Sequence, residues 1–305
     1  MNNIPLIVTN QTLVMFLYMI AGFFLYKYGK ITEKGSKEIA SLLVWLVIPT
    51  VLINSFCTEF STAKLASLGI STLAGALSLL ISILIGRLFF RKSPVDDFAA
   101  AFSNAGFIGI PLVAAALGSD AVFYLVGMVA LLNILQWTYG VCVLTGKKSA
   151  AGPKSILLNP IMAATVIGLI LFLTGAGAHL PGILSTTIKG ISALNAPLAM
   201  IVLGVYLAQS DMKAMFTTLK LYGLCAVRLL LIPLATLIIF RFLPMDQSVK
   251  LTILIASSAP VGANVAVYSQ LHGLDYAYAC QTVALSTVIS IATLPLIMAL
   301  VNLLI

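Results

Sequence analysis

The sequence predicts an all-α membrane protein of ten transmembrane helices, arranged as two inverted five-helix repeats. Three observations predict it. Of 305 residues, 61% are hydrophobic and only 9% are charged, where a soluble domain averages roughly a quarter charged. Apolar runs of about twenty residues, each long enough to cross ~30 Å of hydrocarbon, recur ten times. Two of these runs are interrupted by Gly, Pro and Asn at corresponding places in the two halves of the chain.

Taken in order, the spans read as residues 5–26, 37–56, 66–90, 97–117, 120–144, 155–174, 188–209, 217–240, 248–270 and 276–303. No basic residue precedes Lys27, so the first run lacks the n-region of a cleaved signal peptide and reads as a retained span. Every connection is short. The longest, between the sixth and seventh spans, carries Pro181 and several glycines. The connections leave no room for a soluble domain.

Basic residues assign the sides. Connections after odd-numbered spans hold twelve of the seventeen Lys and Arg, among them Lys30, Arg91, Lys92, Lys147, Lys148 and Lys154. Those after even-numbered spans hold Lys64, Lys189, Arg241 and Lys250. The excess places the odd connections in the cytoplasm and both termini outside. The net charge of +8 is therefore a topology signal, and no nucleic-acid partner is expected.

The two halves echo each other. Gly118 and Asp120 match Gly273 and Asp275 at a separation of 155, which Ser103 and Ser258 share. Pro49 matches Pro197 at 148, and Gly22 matches Gly168 at 146. Five spans is an odd number, so a second repeat enters the membrane inverted. The repeats are expected at residues 1–146 and 155–305, joined by a short basic cytoplasmic linker, 147–154.

The fourth span reads FAAAFSNAGFIGIPLVAAALG and the ninth LTILIASSAPVGANVAVYSQLHG. Backbone polar groups in hydrocarbon need partners, so an interruption there is costly unless it lines an enclosed cavity. A matched pair of interruptions is the sequence pointer to a transporter's binding site. Pro111 fits the first turn of a new half-helix, whose N-terminus carries partial positive charge. The segment from Pro260 to Asn264 does the same from the other repeat. Two such ends favour an anion. Asn104 and Asn264 have amide N–H groups to offer it, with Gly109, Ser258 and Gly262 shaping the backbone. A Pro or Gly that merely kinks a packed helix is the alternative at each position taken singly.

Asn133 and Gln136 lie three apart on one face of the fifth span, either as interhelical glue or as further ligand contacts. Arg228 stands alone inside the eighth span, about 12 Å past Lys220 at 1.5 Å per residue. It either snorkels to the surface, ties its helix to backbone carbonyls, or contacts an anion. Tyr206 and Tyr268 read as interfacial. No Asp or Glu falls deep in a span, so no embedded carboxylate relay is visible. Cys57, Cys142, Cys225 and Cys280 have no paired spacing, and His179 and His272 stand alone, so neither a metal nor a cofactor is expected. There is no GxxxxGK[ST] and no nucleophile elbow, and the chain does not read as an enzyme.

Four segments carry a family resemblance: SNAGFIGIPL, AVRLLLIPLA, SSAPVGANVAVYSQ and ATLPLIMALV. Together they resemble the auxin efflux carrier family over essentially the whole chain, in a compact bacterial form with a short central loop. The resemblance implies that helices four and nine cross at their breaks. It further implies elevator-type secondary transport of a small organic anion, a carboxylate or dicarboxylate, across the cytoplasmic membrane, by a homodimer in contact with membrane lipid. Asn104, Gly109 and Pro111 fall on the first crossover, and Pro260, Gly262 and Asn264 on the second. Coupling to a proton or to sodium both stay open. The alternative is a sodium/proton antiporter or sodium-coupled symporter with a similar crossed-helix fold.

Overall fold

A computed structural model describes residues 4–146 and 159–304. The expected basic linker 147–154 lies outside the described residues. The regular structure of the described residues is all helical, apart from one isolated β-bridge. Among the described residues, seven helices are long and apolar enough to cross a membrane: α1 (Ile4–Lys27), α2 (Glu33–Phe56), α3 (Thr62–Phe90), α6 (Ser119–Thr145), α8 (Gly182–Gln209), α10 (Leu219–Phe242) and α13 (Tyr276–Leu304). Shorter helices lie between them: α4 (Pro94–Ala101), α5 (Ala105–Leu117), α7 (Pro160–Leu173), α9 (Met212–Thr217), α11 (Gln247–Ser257) and α12 (Asn264–Leu271). These multiple apolar helices make the chain a multi-pass membrane protein.

Local chemistry sets many of the boundaries. Thr32 and Ser61 cap α2 and α3, accepting from the N–H of Gly35 and Lys64. Asn159 caps α7 and Pro160 opens it. Three widened π-turns each end just before an Ile-Pro pair: Leu43–Val47 before Pro49, Ala105–Gly109 before Pro111, and Val227–Leu231 before Pro233. Proline has no N–H and crowds the carbonyl four residues back; a wider turn relieves that clash and lets the helix continue. The recurring IP dipeptide thus writes three helix irregularities directly into the sequence.

Helix α1 packs along the second half of α8. A Cβ at Gly22 would overlap the Ile201 carbonyl, and one at Gly204 would overlap that of Met19. Glycine on both faces lets the two backbones close, as small residues do in membrane interfaces. Helix α7 lies on α2, where Phe56, Phe123 and Phe172 pack ring to ring, with centroids 5.4 and 5.1 Å apart for the two pairs through Phe123. Helices α3, α4 and α6 form a second group, joined by α10, α11 and α13.

Candidate functional site

Between α4 and α5 the chain leaves helical geometry at Phe102–Asn104, and between α11 and α12 it does so around Pro260–Gly262. The two interruptions meet. Ser103 and Val261 form an antiparallel bridge, in which the Asn104 N–H donates to the Pro260 carbonyl at 2.8 Å and the Gly262 N–H donates to that of Phe102 at 3.0 Å. The Val261 N–H donates to Ser286 Oγ on α13. Each interruption thus supplies the backbone partners the other lost, which is what a buried break requires. Glycine at 262 keeps the contact close: a Cβ there would sit 3.1 Å from the Ser103 carbonyl oxygen.

Arg228 is 1% exposed, and all three of its hydrogen bonds go to backbone carbonyls. Its Nε donates to Ala259, Nη1 to Ala100 at 3.0 Å, and Nη2 to Ser257. One guanidinium therefore joins the C-terminal ends of α4 and α11. Of the readings the sequence allowed, the geometry is that of the carbonyl tie, and snorkelling is ruled out by the burial.

A cavity of about 430 Å³ ends on the other side of this crossing. Asn104, Asn133, Gln136, Gly262 and Asn264 line it, with Ser103 and Ala263 beside them. The Asn264 side chain donates to Gln136 Oε1 at 2.7 Å. The Asn104 side-chain oxygen caps the following turn through the Phe107 N–H, while its Nδ2 is buried without a protein partner. Asn133 donates to Val129 O within its own helix, leaving the amide oxygen. Gly109, Pro111, Ser258, Pro260 and Arg228 do not line the cavity. Gly109 packs 3.3 Å from Ala256 (measured from an added Cβ), and the Ser258 hydroxyl donates to Leu254 O in its own helix. Pro260 contributes its carbonyl to the bridge. These residues shape the wall from behind.

The rest of the lining is largely apolar and aromatic, including Trp137, Tyr206, Tyr268 and Tyr276. Tyr206 and Tyr268, expected at the membrane interface, instead face this cavity, and Tyr268 is 4% exposed with its ring edge-on to Trp137 at 5.3 Å. Among the described lining residues Lys37 carries the only formal charge, and it is ion-paired to Glu33 at 2.7 Å.

A profile of the membrane transport protein family, the auxin efflux carriers, matches residues 7–298. The chain belongs to this family. It is also 26% identical over 307 aligned positions to a protein of Methanothermobacter thermautotrophicus described as an uncharacterized transporter, with 94% of this chain and 96% of the relative covered. As an auxin efflux carrier family member, the protein belongs among membrane transporters rather than with any enzyme family.

Sequence reasoning overlooked one charged cluster. Asp96 and Asp97, in the first turn of α4, are both fully buried. Asp96 meets Lys220 Nζ at 2.6 Å and accepts from the Tyr278 hydroxyl at 2.7 Å, and Asp97 accepts from Arg87 at 2.9 Å. Both acids stand at the start of the fourth span, so the expectation of no carboxylate deep in a span is untouched by them; what the sequence did not show is their burial and pairing. The local signal was the pair of acids just after Pro94. Nothing local marks them as buried, because their partners lie on α3, α10 and α13.

Proposed function

We propose that this protein is a secondary transporter of a small organic anion, a carboxylate or dicarboxylate, in the cytoplasmic membrane, and that the cavity at the crossing is its binding site. One observation carries the reading. Two mutually bridged interruptions bring the N-termini of α5 and α12 to one cavity, together with the unpartnered amide donor of Asn104. Helix N-termini offer free N–H groups and partial positive charge, and they suit a carboxylate. Asn104 and Gln136 would hold the carboxylate, with Asn133 and Asn264 orienting it. Gly109, Pro111, Ser258, Pro260 and Gly262 would keep the backbone in register.

In this reading α4 with α5 is the fourth span of ten, and α11 with α12 the ninth, each broken at the crossing. The repeats span 1–146 and 155–305, with both termini outside. The cavity reaches residues at Lys37, Asn159 and Gln270, which the charge pattern assigns to the cytoplasmic side, so this conformation is inward-facing. The groups α1, α2, α7, α8 and α3–α6, α10–α13 are the scaffold and moving domain of an elevator, with the scaffold pairing two copies.

Flux of carboxylates into proteoliposomes tests the site. Asn104→Ala and Asn264→Ala are each expected to cut it at least tenfold while the protein stays monodisperse. Undiminished flux in both variants refutes the assignment. A sodium/proton antiporter remains the second reading, and Asp96 with Asp97 is the observation in its favour. It requires sodium-driven proton movement without organic substrate, lost in Asp97→Asn.

A further inference from the structure

A break in a helix does not by itself favour an anion. At the gap, one half-helix ends with about −0.5 of a charge and the next begins with about +0.5. The two ends face each other across a few residues, so their fields nearly cancel. Two breaks that meet give two ends of each sign and again a sum near zero. Something has to occupy the negative ends before the positive ends can act.

Here the negative ends are occupied. The C-terminal carbonyls of α4 (Ala100) and α11 (Ser257, with Ala259 just beyond) all accept from Arg228. The guanidinium is fixed in its charged form and is 1% exposed. Its charge of +1 offsets two ends of about −0.5 each. The N-termini of α5 and α12, which line the cavity through Ala105 and Asn264, are left uncompensated. No Asp or Glu is among the described lining residues, and Lys37 is neutralised by Glu33.

We propose that Arg228 sets the sign of the cavity: it is a positioning residue that never touches the ligand, yet gives the site its preference for anions. The inference rests on the reading of the cavity as the binding site, but its electrostatic content can be tested without any substrate. Ala263 lines the cavity between the two interruptions and is 8% exposed. In a background with Cys57, Cys142, Cys225 and Cys280 replaced by Ser, Ala263→Cys gives a single reporter thiol. Its modification rates with anionic sulfonatoethyl and cationic trimethylammonioethyl methanethiosulfonate, each divided by the rate with free cysteine at low salt, yield a ratio that reads the local potential.

The anionic reagent is expected to be favoured at least tenfold. Arg228→Gln, which keeps two N–H donors for the carbonyls, should lower the ratio tenfold or more. Arg228→Lys and Lys37→Gln should each leave it within threefold. A ratio unchanged in folded Arg228→Gln protein overturns the proposal, as does its collapse in Lys37→Gln. Should Arg228→Gln fail to fold, the reporter with an intact Arg228 still decides, because a normalised ratio near one is incompatible with an uncompensated positive site. Loss of the ratio in Arg228→Gln, with flux undiminished in Asn104→Ala and Asn264→Ala, would separate a failed site assignment from a valid charge inference.

Discussion

Arg228 at the crossing and Asp96 at the start of α4 are both fully buried charges, and the protein compensates them in opposite ways. Asp96 is met by side chains: the Lys220 ammonium and the Tyr278 hydroxyl. Arg228 is met only by backbone, through three carbonyls at helix ends. The difference follows from what lies nearby. Two half-helices stop beside Arg228, and their last carbonyls have no intrahelical donor. No such ends lie beside Asp96, which sits in a first turn where the helix itself favours an acid. Backbone compensation also leaves the crossing free of carboxylates, whereas side-chain pairing makes the α4 cluster neutral as a unit.

The comparison can be broken at several points, and Arg228 should give the largest effect. Arg228→Met leaves three buried carbonyls without a donor, a loss of about 3–5 kcal/mol at 1–3 kcal/mol per unsatisfied group after partial relaxation. Apparent melting in detergent should fall by roughly 10 °C for a chain of this size. A fall as small as that of a surface variant would show that the carbonyls find other partners. Lys220→Met comes next. It strips Asp96 of its cation, but Lys220 is half exposed, at 52%, so solvent screens the pair and the loss should be about 1–2 kcal/mol. Tyr278→Phe removes one charge-assisted hydrogen bond from a carboxylate that keeps its Lys220 partner, about 1.5 kcal/mol. Thermal melts of the two single variants and the double variant would measure their coupling at Asp96, and strict additivity would argue against a shared site. The smallest effect belongs to Lys34→Ala. Its 3.9 Å pair with Glu38 is 88% and 68% exposed, and the melt should not move beyond error, since such pairs contribute within about 0.5 kcal/mol.

Much of the local structure was legible in the chain. The IP pairs at Pro49, Pro111 and Pro233 mark the irregular turns, because proline's missing N–H acts within one turn wherever it stands. The interruption residues stood out because Gly, Pro and Asn are costly in hydrocarbon. Asn104 and Asn264 therefore read as special before their surroundings were known. Long-range partners were not legible. Gln136 and Asn264 lie 128 positions apart, as do Arg228 and Ala100, and Tyr278 is 182 from Asp96. In a soluble protein an apolar stripe would show which helix face turns inward. In a membrane protein lipid-facing and core-facing sides are both apolar, so that signal is weak. Tyr268 illustrates the result: its position near a span end fits the interface, yet its ring closes the cavity against Trp137.

What the sequence determined by itself is the class of molecule, the apolar segments and the places where helix geometry must fail, because composition and proline act locally. The tertiary structure alone decided which backbone groups pair where the two interruptions meet. It also decided that one arginine collects the carbonyls they release, and that Gly109, Pro111 and Ser258 stand behind the cavity wall rather than in it. Those outcomes depend on which helix ends converge in space, and hydrogen bonds made across more than a hundred residues leave no local pattern from which to read them.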